Sequence, residues 1–156
     1  MKNNSNNFHF NNFKLSLLLY FFLLFFLSFS FYQIIYAEVF EYDTNKDGKT
    51  DRWVYVQNGV VIKIEIDVNY DGKIDTIFNY ANTDKGPILI SAFYDTDYDG
   101  VFDTFMYYEN GKLIREELDT NNDNKIDIWI YISDGYIYKI EKDTNYDGKI
   151  DEVINY

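Results

Sequence analysis

From residue 38 onward the chain alternates short runs of interleaved apolar and polar residues with two kinds of punctuation that take turns. One kind is a tight dipeptide. Asn58-Gly59, Asn110-Gly111 and Asp134-Gly135 each separate two strand-like runs, the first of them residues 52–57 and 60–66. Such dipeptides predict β-hairpins closed by two-residue turns. The second hairpin carries four extra residues around Thr83 to Pro87, which predicts a longer turn there. With residues 38–42 ahead of the first hairpin and 151–156 after the last, the pattern predicts an all-β domain, an antiparallel β-hairpin repeat meander of about ten strands. A sheet offset by half a repeat can join its own ends, so a closed barrel stands beside an open, curled sheet and a two-layer sandwich as outcomes.

Two-residue turns fix which residues face each other, because the side-chain period of a strand is two. On this register Trp53 lies opposite Ile64 and Tyr55 opposite Ile62. The equivalents are Phe105, Tyr107 and Ile114, then Trp129, Tyr131, Tyr138 and Ile140, which together form an aromatic face expected to be the buried core. The opposite face mixes Val54, Val56 and Val61 with Arg52, Lys63 and Glu65 and is expected to be half-wet. Tyr and Trp also stack on sugar rings, so the aromatic face admits a glycan as partner, although no groove stands out in the sequence.

The second kind of punctuation is an acidic nonapeptide that occurs five times: DTNKDGKTD from Asp43, DVNYDGKID from Asp67, DTDYDGVFD from Asp95, DTNNDNKID from Asp119 and DTNYDGKID from Asp143. Asp or Asn occupies positions 1, 3, 5 and 9. Glycine, or once Asn124, occupies position 6. A hard divalent ion takes six to eight oxygens at about 2.3–2.6 Å, and a short loop meets that demand by curling round the ion with alternate side chains inward. The candidate ligands are Asp43, Asn45, Asp47, Lys49 and Asp51; Asp67, Asn69, Asp71, Lys73 and Asp75; Asp95, Asp97, Asp99, Val101 and Asp103; Asp119, Asn121, Asp123, Lys125 and Asp127; and Asp143, Asn145, Asp147, Lys149 and Asp151. Position 7 would contribute its backbone carbonyl, whatever its side chain, and position 9 would bind directly or through water. Asp, Asn and Gly also dominate ordinary turns, but turn chemistry constrains one or two positions rather than four. The ion expected is Ca²⁺.

These nonapeptides resemble the first nine positions of EF-hand-type calcium loops. The resemblance stops at position 12, where an EF hand has a bidentate Glu and this chain has Val54, Phe78, Met106, Ile130 and Ile154. That departure removes the reason to expect helices around the loops. Similar loops in non-helical settings occur in dockerin modules, thrombospondin type 3 repeats and integrin-like propellers, and the chain is most similar to secreted bacterial proteins in which such loops alternate with short β-strands. Glu41, Glu65, Glu117 and Glu141 stand two residues before four of the loops. Each is either a replacement ligand or, as the reading favoured here, a solvated charge paired across the strand with Arg52, Lys63 or their equivalents.

Residues 1–37 differ in kind from the rest. An Asn-rich start with Lys2 and Lys14 leads into the apolar run Leu15 to Tyr32, and Ile35-Tyr36-Ala37 precedes Glu38. This reads as a signal peptide with an apolar helix, with an uncleaved anchor as the alternative and the only expected contact with a membrane. Residues 38–156 then form a single exported domain, secreted, periplasmic or on the cell surface. No cysteine is present, so neither a disulfide nor a lipidated thiol supports or tethers it.

The formal net charge of −12 excludes a phosphate-neutralising surface, and nucleic acid is not an expected partner. Divalent cations are. Catalytic groups are scarce: the sole histidine, His9, lies in the leading segment, and Ser91 and Ser133 have no histidine to activate them. A calcium-binding structural or adhesive protein is expected, not an enzyme, with a calcium-dependent carbohydrate- or protein-binding module as the alternative.

Overall fold

The computed structural model describes residues 37–156; the predicted signal segment and its helix lie outside the described residues. Ten strands form one antiparallel sheet in strict sequence order: β1 (Glu38–Tyr42), β2 (Arg52–Gln57), β3 (Val60–Ile66), β4 (Thr76–Thr83), β5 (Gly86–Tyr94), β6 (Thr104–Glu109), β7 (Lys112–Leu118), β8 (Ile128–Ser133), β9 (Tyr136–Lys142) and β10 (Glu152–Asn155). The all-β meander is as the hydrophobic pattern predicts. Closure into a barrel is not: β1 pairs only with β2, and β10 only with β9, so the sheet is open.

Three hairpin turns follow the expected chemistry. Asn58, Asn110 and Asp134 have φ of 53°, 51° and 51°, and the glycine after each is also positive, the double left-handed geometry whose twist suits a two-residue hairpin. The second hairpin departs from expectation. Its turn is the two residues Asp84 and Lys85, with Thr83 opposite Gly86, and the extra residues lengthen β4 and β5 to eight and nine residues rather than the turn.

The predicted register is corrected by a β-bulge. In every hairpin the pairing shifts by one, between Tyr55/Val56, Asn79/Tyr80, Tyr107/Tyr108 and Tyr131/Ile132. The residue left over on the second strand is Ile62, Ile90, Ile114 or Tyr138. A bulge puts two residues opposite one, and beyond it every cross-strand partner changes. Trp53 therefore faces Glu65 rather than Ile64, and Tyr55 faces Lys63 rather than Ile62. Likewise Tyr107 faces Arg115 and Tyr131 faces Lys139.

The two faces are consequently different from those expected. One carries a row that crosses all ten strands, Phe40, Val54, Ile64, Phe78, Ala92, Met106, Glu116, Ile130, Ile140 and Ile154, apolar except at Glu116. The position-12 residues Val54, Phe78, Met106, Ile130 and Ile154 all lie in it. The other face carries Trp53, Tyr55, Phe105, Tyr107, Trp129 and Tyr131 together with Lys63 and Glu65, which belong beside Tyr55 and not with Val54.

On that second face a three-residue cluster repeats. The Tyr55 hydroxyl donates to Glu65 Oε2 at 2.5 Å, Lys63 Nζ lies 2.7 Å from Glu65 Oε1, and the ammonium sits 4.2 Å above the Tyr55 ring. Tyr131, Lys139 and Glu141 repeat it at 2.8, 3.0 and 3.9 Å. In the third copy the Tyr107 hydroxyl donates to Glu117 at 3.2 Å and Arg115 stacks 4.4 Å from the ring; its Nε lies 3.1 Å from Glu117 but is not aligned as a hydrogen bond. Glu65, Glu117 and Glu141 thus have their charge partners along their own strand, two residues away, rather than across on a neighbouring strand, whereas Glu41 accepts the Thr50 hydroxyl at 3.4 Å.

No face is a fully buried core, contrary to the expectation for the aromatic side. Among the described residues Ala92 is the one fully buried hydrophobic side chain. A single sheet layer leaves both surfaces half-covered, because burial requires a second layer. Apart from Thr76 and Ser91, the buried polar side chains are instead aspartates: Asp51, Asp67, Asp75, Asp95, Asp103, Asp119, Asp127 and Asp143. All belong to the nonapeptides, which line one edge of the sheet.

Candidate functional site

Each nonapeptide is built by side-chain acceptors taking up backbone amides. In the first copy Asp43 Oδ1 accepts from the amides of Lys46 at 2.6 Å and Asp47 at 3.1 Å, and its Oδ2 accepts from Gly48 at 2.8 Å. Asn45 Oδ1 accepts from Asp47, and Asp47 Oδ1 from Lys49, both at 2.8 Å. The same pattern recurs from Asp67, Asp95, Asp119 and Asp143, with the position-6 amide on the position-1 carboxylate at 2.6–2.8 Å. The position-7 residues Lys73, Val101, Lys125 and Lys149 donate their amides to the position-5 carboxylates in the same way as Lys49. A loop wound this way turns its N–H groups onto its own carboxylates, and the remaining oxygen lone pairs stay free for a ligand.

The winding requires left-handed backbone at two places. Position 6 is one, with φ of 91° at Gly48 and 67° at Asn124, a conformation that Asn tolerates better than most other non-glycine residues. Position 4 is the other and was not foreseen. Lys46, Tyr70, Tyr98, Asn122 and Tyr146 have φ between 59° and 66°. Only Asn122 carried a compositional signal for it.

Position 9 closes the loop more deeply than a rim ligand would. The Asp51 amide donates to the carbonyl of Tyr42 at 2.9 Å, and its Oδ2 accepts from the amides of Thr44 and Asn45 at 2.8 and 3.2 Å. Asp75 repeats this with Val68 at 2.6 Å and Asn69 at 3.1 Å. At Asp103, Asp127 and Asp151 the hydroxyl of the position-2 threonine, Thr96, Thr120 or Thr144, adds a further donor to the same oxygen. The recurrence of threonine at position 2 was a readable signal for this contact.

The second carboxylate oxygen of position 9 differs among loops. Asp103 Oδ1 takes the Thr104 hydroxyl at 2.7 Å, and Asp151 Oδ1 takes the Asn145 amide group at 3.3 Å. Asp51 Oδ1 and Asp75 Oδ1 are buried with no hydrogen-bond partner. An orphaned buried acceptor costs about 1–3 kcal/mol, and more when charged.

Among the described residues, two groups of three carboxylates converge. Asp67, Asp71 and Asp75, positions 1, 5 and 9, bring one oxygen each to within 4.8 Å of one another, as do Asp95, Asp97 and Asp99, positions 1, 3 and 5. Burial raises the Asp95 carboxyl above its usual range and the charge of Asp99 adds to that, against the lowering effect of hydrogen bonds from the amides of Gly100, Tyr98 and Asp99. Asp51 shifts the other way. Burial is the largest influence on it and acts upward, but the hydrogen bonds from Thr44 and Asn45 together hold it below its usual value. In the fourth loop the Lys125 ammonium lies 3.1 Å from Asp123 Oδ2 and lowers that carboxyl, an internal cation beside the position-5 oxygen.

Neighbouring loops are linked. The amide of each position-1 aspartate donates to the carbonyl of the preceding loop's position-9 aspartate: Asp67 to Asp51, Asp95 to Asp75, Asp119 to Asp103 and Asp143 to Asp127, at 2.8–2.9 Å. Side chains bridge the row as well. Lys73 Nζ donates to the Asp99 carbonyl at 2.8 Å, and Asn122 Nδ2 donates to Asp97 Oδ2 at 2.5 Å.

No protein-family model matches the chain, and no curated protein matches it. Among solved structures it is similar to a chain of the crystal structure of accessory secretory protein 1, 2 and 3 in Streptococcus pneumoniae. The TM-score is 0.48 and the identity 14%, over 70% of this chain and 19% of that one, so the match takes in less than a fifth of the other protein.

Proposed function

We propose that the nonapeptides bind Ca²⁺ and that the protein is an exported structural or adhesive β-repeat whose loops are ordered by the ion. The observation that carries this reading is Asp75: its side chain is 2% exposed, one oxygen holds two loop amides, and the other has no partner, beside Asp67 and Asp71. Three carboxylates this close repel each other, and a buried unpaired charge is unfavourable unless a cation offsets it. An all-oxygen set suits a hard cation rather than a thiophilic one. Loss of the twelfth-position carboxylate places the affinity in the weak range of extracellular modules, about 10⁻⁴–10⁻³ M. Weak sites fit an exported protein, since calcium is abundant outside cells, and the apolar segment before residue 38 supports export.

Thermal melts of residues 38–156 with millimolar calcium and with chelator test the proposal. Filled sites of half-millimolar affinity at a few millimolar ion add on the order of 1 kcal/mol each. An unchanged midpoint would remove the structural role.

A second reading, a calcium-shaped module for glycan or a surface protein, is favoured by one feature. A concavity of about 950 Å³ on the aromatic face is lined by Tyr107, Tyr131, Tyr138 and Arg115 with the bulge residues Ile90 and Ile114. Glycan binding abolished by Tyr131→Ala and by chelator would select this reading. Neither reading assigns the chain a catalytic role.

A further inference from the structure

The parity of the repeat leaves the two edges of the sheet mutually complementary. Strand β10 follows the fifth loop, as β2, β4, β6 and β8 follow the first four, and each of those pairs with the second strand of its hairpin. Strand β1 precedes the first loop, as β3, β5, β7 and β9 precede the others. Among the described residues β10 therefore has no second strand and β1 no first strand. We propose that these edges form an interaction surface for a second copy of this chain, β10 of one copy pairing with β1 of the next in the register of the internal hairpins.

That register is set by the repeat. Arg52↔Ile66, Trp53↔Glu65, Val54↔Ile64 and Tyr55↔Lys63 map onto Glu152, Val153, Ile154 and Asn155 opposite the partner's Tyr42, the partner's Glu41, the partner's Phe40 and the partner's Val39. No like charges face each other across the junction. The apolar row continues from Ile154 to the partner's Phe40 and on to the partner's Val54, and the row of the other face continues from Val153 to the partner's Glu41 and Trp53 in the partner subunit's β2 position. The loop ladder supplies a second, independent fit. Its four internal links each join a position-1 amide to a position-9 carbonyl, and the series stops at the Asp43 amide and the Asp151 carbonyl. Head-to-tail stacking brings these two ends together and keeps every loop on one side.

Both edge strands are short and carry glutamates, Glu38 and Glu41 in β1 and Glu152 in β10, but stronger devices that block such pairing are missing. Neither β1 (EVFEY) nor β10 (EVIN) contains lysine or proline, and Val39, Phe40, Tyr42 and Val153 are 45–52% exposed. The Tyr156 amide donates to the Tyr138 carbonyl at 3.0 Å, which extends the ordered edge beyond Asn155. Pairing of unlike edges is heterologous, so each added copy presents the same two edges again and assembly continues into open filaments or large rings.

The test uses the full chain in a mild non-ionic detergent with millimolar calcium. The chain has no cysteine of its own, so Phe40→Cys and Ile154→Cys variants can be oxidised separately and after mixing. The expected result is crosslinked dimer in the mixture and none above background in either variant alone. Crosslinking of Phe40→Cys or Ile154→Cys alone to the same yield, the mark of two-fold pairing of like edges, overturns the proposal, and so does an uncrosslinked mixture. Sedimentation of the unsubstituted chain is expected to show species growing past the dimer with concentration. Phe40→Lys should abolish them, whereas Tyr136→Lys, at a hairpin tip and 79% exposed, should not. A monomer at every concentration, or assembly that survives in a folded Phe40→Lys chain, overturns it equally.

Discussion

The amide of Asp67 donates to the carbonyl of Asp51 at 2.9 Å, so the first residue of the second loop rests on the last residue of the first. Both aspartates are buried, and the bond sits between two loops that each wind around their own carboxylates. Because the link recurs at Asp95, Asp119 and Asp143, the loops behave as a row rather than as separate appendages. The amides of Asp67, Asp95, Asp119 and Asp143 are expected to exchange with solvent more slowly than loop amides such as Lys46. Under the calcium reading chelator should accelerate all four together. Hydrogen exchange read by NMR checks this, and a chelator effect confined to one loop would contradict a coupled row.

Asp75→Asn separates charge from geometry. The substituted side chain keeps an oxygen for the amides of Val68 and Asn69 and places an amide group where Oδ1 has no partner, beside Asp67 and Asp71. Without calcium the variant should be at least as stable as the parent, since a repulsive charge and an orphaned acceptor are both removed. With calcium it should gain less, by about 1 kcal/mol, as one site is weakened. Urea denaturation in chelator and in calcium checks both signs. Asp75→Ala, which drops both amides, should instead cost about 1–3 kcal/mol under either condition.

Much of the architecture was legible because hairpin turns and alternation are local signals. Asn58-Gly59 specifies its turn through the left-handed preference of those two residues alone, and strand order follows when every connection is short. The register was not legible, because the bulge at Tyr55/Val56 adds one unpaired residue, Ile62, that the alternation in residues 52–66 does not mark. The absence of a core was equally hidden. The apolar content of residues 38–156 suits a two-layer domain, and only the pairing pattern reveals a single layer. In the loops, spacing brought out the oxygen-bearing residues, while the burial of Asp51 and Asp75 depends on the Tyr42 and Ile66 carbonyls that receive their amides.

The Tyr55–Glu65 pair should impose a pH window on stability. The hydrogen bond to Glu65, with burial and the charge of Glu65, pushes the Tyr55 hydroxyl up to about 12, well above the usual phenol value. Its folded value is raised, so its contribution is complete below about 10 and disappears as pH climbs through about 12. For Glu65, burial is the largest influence and acts upward, but hydrogen bonds from Lys63 and Tyr55 and the Lys63 charge together lower its carboxyl. Its contribution is complete above the unfolded value and disappears as pH falls through the depressed folded one. Tyr55→Phe is expected to cost about 1 kcal/mol near neutrality. The difference from the parent should shrink at both extremes, which denaturation across pH would reveal; a difference independent of pH would place the cost in packing alone.

Tyr146 has φ of 61° and an exposed ring, so its backbone conformation is held by the loop and not by side-chain packing. A bulky residue in the left-handed region is strained, whereas glycine reaches it freely. Glycine also loses more entropy on folding, which offsets part of the relief. Tyr146→Gly should therefore stabilise the chain, by about 0.5–1 kcal/mol. The same change at Asn122, a residue already suited to φ of 59°, should do little. The comparison isolates position 4 from metal chemistry when both variants are melted in chelator. If Tyr146→Gly instead destabilises by a similar amount, the ring contributes contacts that outweigh the strain, and the loop's winding is set by those contacts rather than by the amides gathered on Asp143.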